Sequence, residues 1–197
     1  MKHASILTAV LMSLGATTPA LAGVISIDFE TAPSFGSIEN LYAGLGVTFR
    51  PDALGLQNDA LVTYFSNAPS PLGVMFAAGP DSAMNVAGGF IEISLFYSSS
   101  EAINDAVQVW SGLNGTGNLL ASLSLANNAQ AGGCTDSAYC NFSQTGTNKL
   151  GALAYSVTFA SAANNVVAFD NVNLVPEPAS TLLVALGLAG VAFVRRR

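Results

Sequence analysis

AVQVW at 106–110, GLNGTG at 112–117 and LLASLSL at 119–125 read together as strand, turn and strand. Val107 and Val109 alternate with their neighbours at the period of a half-buried strand. The glycines and Asn114 between the two runs are the residues that a hairpin connection needs. Outward from this hairpin the texture repeats. Phe90 to Ser98 is the strongest apolar run, carrying Phe90, Ile91, Ile93, Leu95, Phe96 and Tyr97. Val24 to Glu30 alternates, with Ile25, Ile27 and Phe29 on one face and Ser26, Asp28 and Glu30 on the other. Val47 to Arg50, Leu61 to Phe65, Gly73 to Ala77, Tyr155 to Phe159 and Val166 to Leu174 are further short strands. Thr31 to Leu45 reads as loop. Pro69 and Pro71 block ladder bonding around Asn67 to Pro71, and Asn127 to Lys149 reads as polar and irregular. No segment of 23–174 has a helical period. Short strands broken by turn residues predict an all-β domain, an antiparallel β-sandwich or jelly roll.

The two ends of the chain differ from this middle. Lys2 and His3 precede an apolar run from Ala4 to Ala16, and Ala20-Leu21-Ala22 follows as an A-x-A cleavage site. That is the layout of a secretory signal peptide over 1–22, cut before Gly23 by signal peptidase after passage through the secretion translocon. At the other end, 175–197 reads VPEPASTLLVALGLAGVAFVRRR. Pro176 and Pro178 keep the backbone extended around Glu177. Ala179 to Val194 is uncharged and rich in Leu, Ala, Val and Gly, which suits a transmembrane helix packed in lipid. Its 16 residues fall a little short of the ~20 that span a bilayer. Arg195, Arg196 and Arg197 suit the headgroup layer on the cytoplasmic side. The expected organisation is signal peptide 1–22, exported domain 23–174 and C-terminal signal 175–197.

Pro176-Glu177-Pro178, the short apolar helix and the basic end, in that order at the extreme C-terminus, resemble the PEP-CTERM sorting signal of Gram-negative bacteria. The resemblance implies an exosortase-type transpeptidase as partner. It also implies transient anchoring in the inner membrane with the C-terminus cytoplasmic, then delivery to the cell surface or extracellular matrix. IDFE at 27–30, VWSGLNGTGNLLASLSL at 109–125 and AFDNVNL at 168–174 resemble exported β-sandwich domains of such proteins. Those are similar in turn to galactose-binding-like jelly rolls, the fold of many carbohydrate-binding modules.

Charge and composition exclude several chemistries. Between Gly23 and Leu174 only Arg50 and Lys149 oppose eleven acidic residues, a net charge of −9. A surface so acidic cannot neutralise phosphates, so no nucleic acid is expected as partner; divalent cations and neutral polysaccharide suit it better. The only histidine, His3, lies in the signal peptide. Ser-His-Asp and Cys-His catalysis and histidine-ligated metals are therefore out of reach of the exported domain. Lys149 has no neighbours that would activate it, and no Gly-rich phosphate loop is present. Cys134 and Cys140 are an even pair in an exported chain, which favours a disulfide. Free thiols and a metal site are the alternatives.

In galactose-binding-like sandwiches a structural calcium often joins the first and last strands. The resemblance places it here at Glu30 and Asp170, with Asp28 and Asn171 as lesser participants; solvated strand ends are the plain alternative. No other cofactor is expected. A sugar site wants an aromatic platform beside planar polar groups. Trp110, the only tryptophan, ends a strand before a Gly-rich loop and is either that platform or core filler. Of the five tyrosines (Tyr42, Tyr64, Tyr97, Tyr139, Tyr155), Tyr139 lies between the cysteines. A two-carboxylate glycosidase is the enzyme class whose parts remain, and Glu39, Glu92 and Glu101 would have to supply it. Asn114-Gly115-Thr116 and Asn141-Phe142-Ser143 match the glycosylation sequon, an incidental match in a bacterial protein. The sequence thus points to a non-enzymatic surface or matrix protein associated with exopolysaccharide. A carbohydrate-binding module with a defined glycan site is the second reading, and a weak glycosidase the third.

Overall fold

β11 (Val167–Val175) is the longest strand and the axis of the structure, a computed structural model that describes residues 23–61, 64–147, 149–159, 162 and 165–178. The signal peptide 1–22, the apolar run 179–194 and the three terminal arginines lie outside the described residues, as do Ala20 and Ala22 of the cleavage site. One long edge of β11 pairs antiparallel with β6 (Glu92–Ser99). Its other edge is shared: Phe169 pairs with Met75 of β4 (Gly73–Ala77), and Val172 to Leu174 pair with β1 (Ile25–Ile27). β3 (Ala53–Gln57) extends this sheet beyond β4, and β9 (Ser143–Thr147) extends it beyond β6.

The second sheet runs β2 (Val47–Phe49), β5 (Ala83–Phe90), β10 (Ala154–Thr158), β7 (Ile103–Trp110), β8 (Leu119–Leu125), all antiparallel. The inward faces of the two sheets meet in one core that includes Phe29, Phe49, Met75, Met84, Leu95, Val109 and Val157. Phe159 and Phe169 pack against each other within it, tilted by 58° with ring centroids 4.9 Å apart. Each large side chain removed from water there contributes about 1.5–3 kcal/mol before its entropy cost. An all-β antiparallel sandwich is thus the architecture, as the strand pattern predicts. Among the described residues the only helical pieces are three-residue 3₁₀ turns, and no helix is long and apolar enough to cross a membrane.

The two outer faces differ. On the five-stranded sheet, Thr48, Asn85, Gln108 and Thr158 face outward and are partly exposed. On the six-stranded sheet, Val74, Phe76, Leu56 and Ala168 form a second apolar cluster with Phe65. The β3–β4 connection and the segment around Tyr139 and Phe142 roof this cluster, so β4 is buried on both faces.

Several strand boundaries differ from the sequence expectation. β1 stops at Ile27 because Phe29 adopts φ 57°, which turns the chain before Glu30. Of the expected strand Leu61 to Phe65, the described residues Leu61, Tyr64 and Phe65 are in none of the named strands: they sit in the β3–β4 connection, and Phe65 makes a single parallel bridge to Tyr139. The Phe65 side chain packs in the cluster under the roof instead of in a ladder, while Leu61 is exposed. The run from Phe90 spans two strands, β5 ending at Phe90 and β6 starting at Glu92, after Gly89 at φ 69°. β3, most of β5, and β9 are additional strands, the last within the segment expected to be irregular.

Candidate functional site

Alternation along β11 sends Phe169 into the core and Asp170 to the opposite face, beneath the β3–β4 connection. There its carboxylate is fully buried. Oδ2 accepts the Ser70 backbone N–H at 2.7 Å, and Oδ1 accepts that of Asn171, also at 2.7 Å. Asn171 lies at φ 43° where β11 bulges against β6, and its Oδ1 accepts the Ser70 hydroxyl at 2.7 Å. Glu30, just past the Phe29 turn, holds the same end of the connection, where it enters β4: its Oε1 accepts Leu72 N–H at 2.8 Å and Gly73 N–H at 3.1 Å. Asp28 Oδ1 accepts Glu30 N–H at 3.3 Å. First and last strands therefore converge on one loop, each through a carboxylate.

Burial pushes the Asp170 carboxyl up to about 7; its two N–H donors pull it down, and the charges of Glu30 and Asp28 raise it further. Desolvation beats the donors because a buried carboxylate loses most of its hydration. Glu30 and Asp28 lie near enough to Asp170 for their charges to act on it, and no basic side chain is among the groups acting there; among the described residues, however, the three carboxylates are not gathered closely enough to form a metal-binding cluster. The donor chemistry fits a hard cation, which takes carboxylate and carbonyl oxygens. Carboxylate oxygens already accepting one N–H keep a further lone pair for a metal. Ser70, Leu72 and Gly73 went unnoticed in the sequence, since backbone amides carry no residue signature; the two prolines at 69 and 71 were the available hint.

Trp110 lies on the polar outer face of the five-stranded sheet, partly exposed, opposite the fully buried Val109. Its indole N–H donates to Thr158 Oγ1 at 3.2 Å, and Gln108 flanks it on the same face. The β7–β8 connection folds back across this face. Asn85 and Asn114 exchange two hydrogen bonds of 2.8 Å, and Gly115 N–H donates to Ser156 Oγ at 2.9 Å. Trp110 is therefore neither core filler nor a free platform, but a half-covered ring among amides and hydroxyls.

Cys134 and Cys140 form a disulfide, with Cα atoms 5.8 Å apart. Asp136 lies close to both sulfurs, yet sulfurs joined to each other are not thiolates, and only thiolates bind metal well. The disulfide loop docks on the β3–β4 connection: Ser66 N–H donates to Tyr139 O at 3.1 Å, and Asn67 Nδ2 to Cys140 O at 3.0 Å. The Tyr139 hydroxyl donates to Asn165 O. Beside it Phe35, Leu54, Phe76 and Ala168 line a cavity of about 290 Å³. Phe35 stands at its mouth, edge-on to Tyr64.

Glu39 is in the loop before β2, Glu92 opens β6 and Glu101 is in the β6–β7 turn. The cavity beside Glu92 is lined by neither of the other two. Lys149 is exposed. Asn114 is tied to Asn85, and Asn141 donates to Asn128 O at 3.2 Å.

At the C-terminal end β11 finishes at Val175; Pro176 is half-buried, and Glu177 and Pro178 are exposed. Residues 174–197 match the family model of the PEP-CTERM protein-sorting motif. The chain carries a PEP-CTERM sorting signal. Such a signal implies export, processing of the exosortase type and anchoring of the C-terminal region in a membrane. No curated protein matches the PEP-CTERM chain in sequence. Among solved structures it is similar to a cleaved adhesin domain of Lys-gingipain, with 13% identity and a TM-score of 0.48, over 77% of this chain and 99% of that one. A second such domain, from Porphyromonas gingivalis, gives 12%, 0.46, 79% and 99%. A family 6 carbohydrate-binding module gives 13%, 0.39, 78% and 94%. Likeness of this degree carries no conclusion about ligand or activity.

Proposed function

We propose that this chain is a non-enzymatic surface or extracellular-matrix protein, placed by its PEP-CTERM signal and associated with exopolysaccharide. The observation that carries the reading is the sorting motif at 174–197, which begins as the last strand ends. Glu177 and Pro178 are exposed immediately beyond β11, so a membrane transpeptidase reaches the tripeptide without unfolding the sandwich. On this reading the signal peptide is 1–22, the exported domain 23–174 and the anchor about 179–194, with Arg195 to Arg197 left in the cytoplasm. A structural calcium between Glu30 and Asp170 would neutralise the acids that tie the β3–β4 connection to both terminal strands. The absence of histidine from the exported domain and the dispersal of Glu39, Glu92 and Glu101 support a non-catalytic role.

Replacing Pro176-Glu177-Pro178 by alanines is the test of sorting. The variant should fold and stay in the inner membrane; its normal appearance at the surface or in the medium would overturn the reading.

A carbohydrate-binding module is the second reading, favoured by the partly exposed Trp110 beside Gln108 and Thr158 on a polar face. Trp110 is the sole tryptophan, so its fluorescence reports on that face alone. Titration with the host's extracellular polysaccharide should then shift the emission saturably. Unchanged emission, with unaltered polysaccharide retention by Trp110→Ala, would remove Trp110 from any glycan site.

A further inference from the structure

β11 is pinned as far as its last residue. Val175 O accepts Ile91 N–H at 2.8 Å, and Ile91 O accepts Leu150 N–H at 2.9 Å. One residue further back, Leu174 is fully buried and pairs with Ile25 on one edge and Ile93 on the other. Only Pro176 separates this fixed end from Glu177. At ~3.3–3.6 Å per residue, Glu177 lies within about 7 Å of the last Cα of β11. A cleft that grips Pro176-Glu177-Pro178 must therefore press against whatever borders that end. Drawing out more chain would break the pairing of Leu174 and bring its side chain into water.

Two hollows border the end of β11, and Glu177 belongs to one of them. That hollow, of about 260 Å³, is lined by Glu177 with Ile91 and 149–153, the described part of the β9–β10 connection. The other, whose lining includes Val24, Glu92 and Val175, does not include it. Lys149, Gly151 and Ala152 are exposed, so they form an open rim beside the tripeptide.

Lys149 is also set apart by its charge. The other basic residue of the domain, Arg50, is held by Asp81 in a 2.7 Å ion pair. Lys149 has no such pair among the described residues. The one uncommitted cation of a domain with net charge −9 thus shares a hollow with the acid of the sorting motif.

We propose that Lys149 to Leu153 is part of the surface by which an exosortase-type transpeptidase takes this protein, so that the enzyme reads a folded rim as well as the tripeptide. The contact rests on processing of the tail as argued under the proposed function. Complementary charge calls for an acidic group of the enzyme opposite Lys149.

The test follows tail removal from the full chain in a bacterial host that carries the transpeptidase, by pulse labelling and the mass of the product. Lys149→Glu reverses the charge of the rim and Ala152→Arg adds bulk to it. Each should slow tail removal about tenfold, the effect of losing one good interface contact, while the full chain in detergent keeps its resistance to protease. A Gly-Ser spacer of about ten residues between Val175 and Pro176 holds the tripeptide roughly 17 Å from the strand end. With that spacer, both variants should lose the tail at the rate of the spacer chain alone. Tail removal indifferent to both substitutions would overturn the proposal. So would slowing that persists with the spacer, which would assign the rim to export or to the membrane surface. An unsubstituted chain that keeps its tail would overturn the sorting reading and this contact with it, whereas rapid removal indifferent to the rim overturns the contact alone.

Discussion

Asp170 on the last strand accepts the backbone N–H of Ser70 at 2.7 Å, across one hundred residues of sequence. The bond fastens a loop without regular structure over the outer face of the six-stranded sheet, and it does so with a carboxylate that has no exposure to solvent. Glu30 fastens the next residues of the same loop, Leu72 and Gly73, from just past the first strand. Both chain ends of the sandwich are thus tied to its middle through acids.

Stability is expected to fall as pH rises towards neutrality. The Asp170 carboxyl, with an ordinary value of 3.8, is pushed up to about 7 by burial, so the fold binds its proton more tightly than the unfolded chain does. Its contribution to stability is complete below about pH 4, declines between pH 4 and 7, and is gone above. Melting temperature in metal-free buffer should decrease over that window, and Asp170→Asn should flatten the decrease. A flat profile in the unsubstituted protein would show that Asp170 titrates normally.

Calcium should reverse the sign of that slope. A cation ligated by Asp170 and Glu30 favours the charged form of the buried Asp170 carboxyl, opposing the upward push of burial. Millimolar calcium should then raise the melting temperature at pH 7.5, by mass action on the folded state, and do little at pH 4.5. Asp170→Asn and Glu30→Gln should each remove most of the gain. Equal effects of calcium and magnesium in both variants would point to screening by salt, not to a site.

The strands legible in the sequence are those whose alternation survives in the fold. β7, β8, β10 and β11 bury one face against the core, so period two is written into Val107-Gln108-Val109 and its counterparts. β3 was illegible because its ALGLQ sequence is buried on both faces and lacks β-branched residues. β9, SQTGT, has no apolar residue and is held by backbone pairing to β6 alone. Phe65 misled in the opposite direction, since a residue that roofs an outer face looks like one that fills a core. Of the site, the acids were legible through the family resemblance. The amides they bind were not, because any residue supplies one.

Reducing the disulfide should loosen the roof. Closing a loop this short contributes about 2 kcal/mol by restricting the unfolded chain, and Tyr139 within it meets both Ser66 and Asn165. Cys134→Ser with Cys140→Ser is expected to lower the melting temperature by several degrees and to speed exchange of the Ser66 amide. An unchanged melting temperature would mean that backbone pairing to 64–66 holds the loop unaided.

The narrowest point of the site is Gly73. A methyl group there would run into the Phe29 carbonyl oxygen, while the Gly73 N–H must still reach Glu30 Oε1 at 3.1 Å. Its backbone is ordinary for an L-residue, so the constraint is one of space, not of conformation. Phe29 cannot retreat, because its φ of 57° is set by the turn that delivers Glu30, and its ring is buried against Tyr42 and Phe49. β4 must therefore move away from the first strand's end, breaking the Glu30 bonds. Gly73→Ala should cost about 1–3 kcal/mol by overpacking, and weaken any calcium response together with it. Gly88→Ala is the matched control: nothing lies within 4 Å of its added carbon, and loss of glycine's freedom in the unfolded chain should leave stability equal or slightly raised. Equal melting temperatures for the two variants would show that β4 and the Phe29 turn are not in contact.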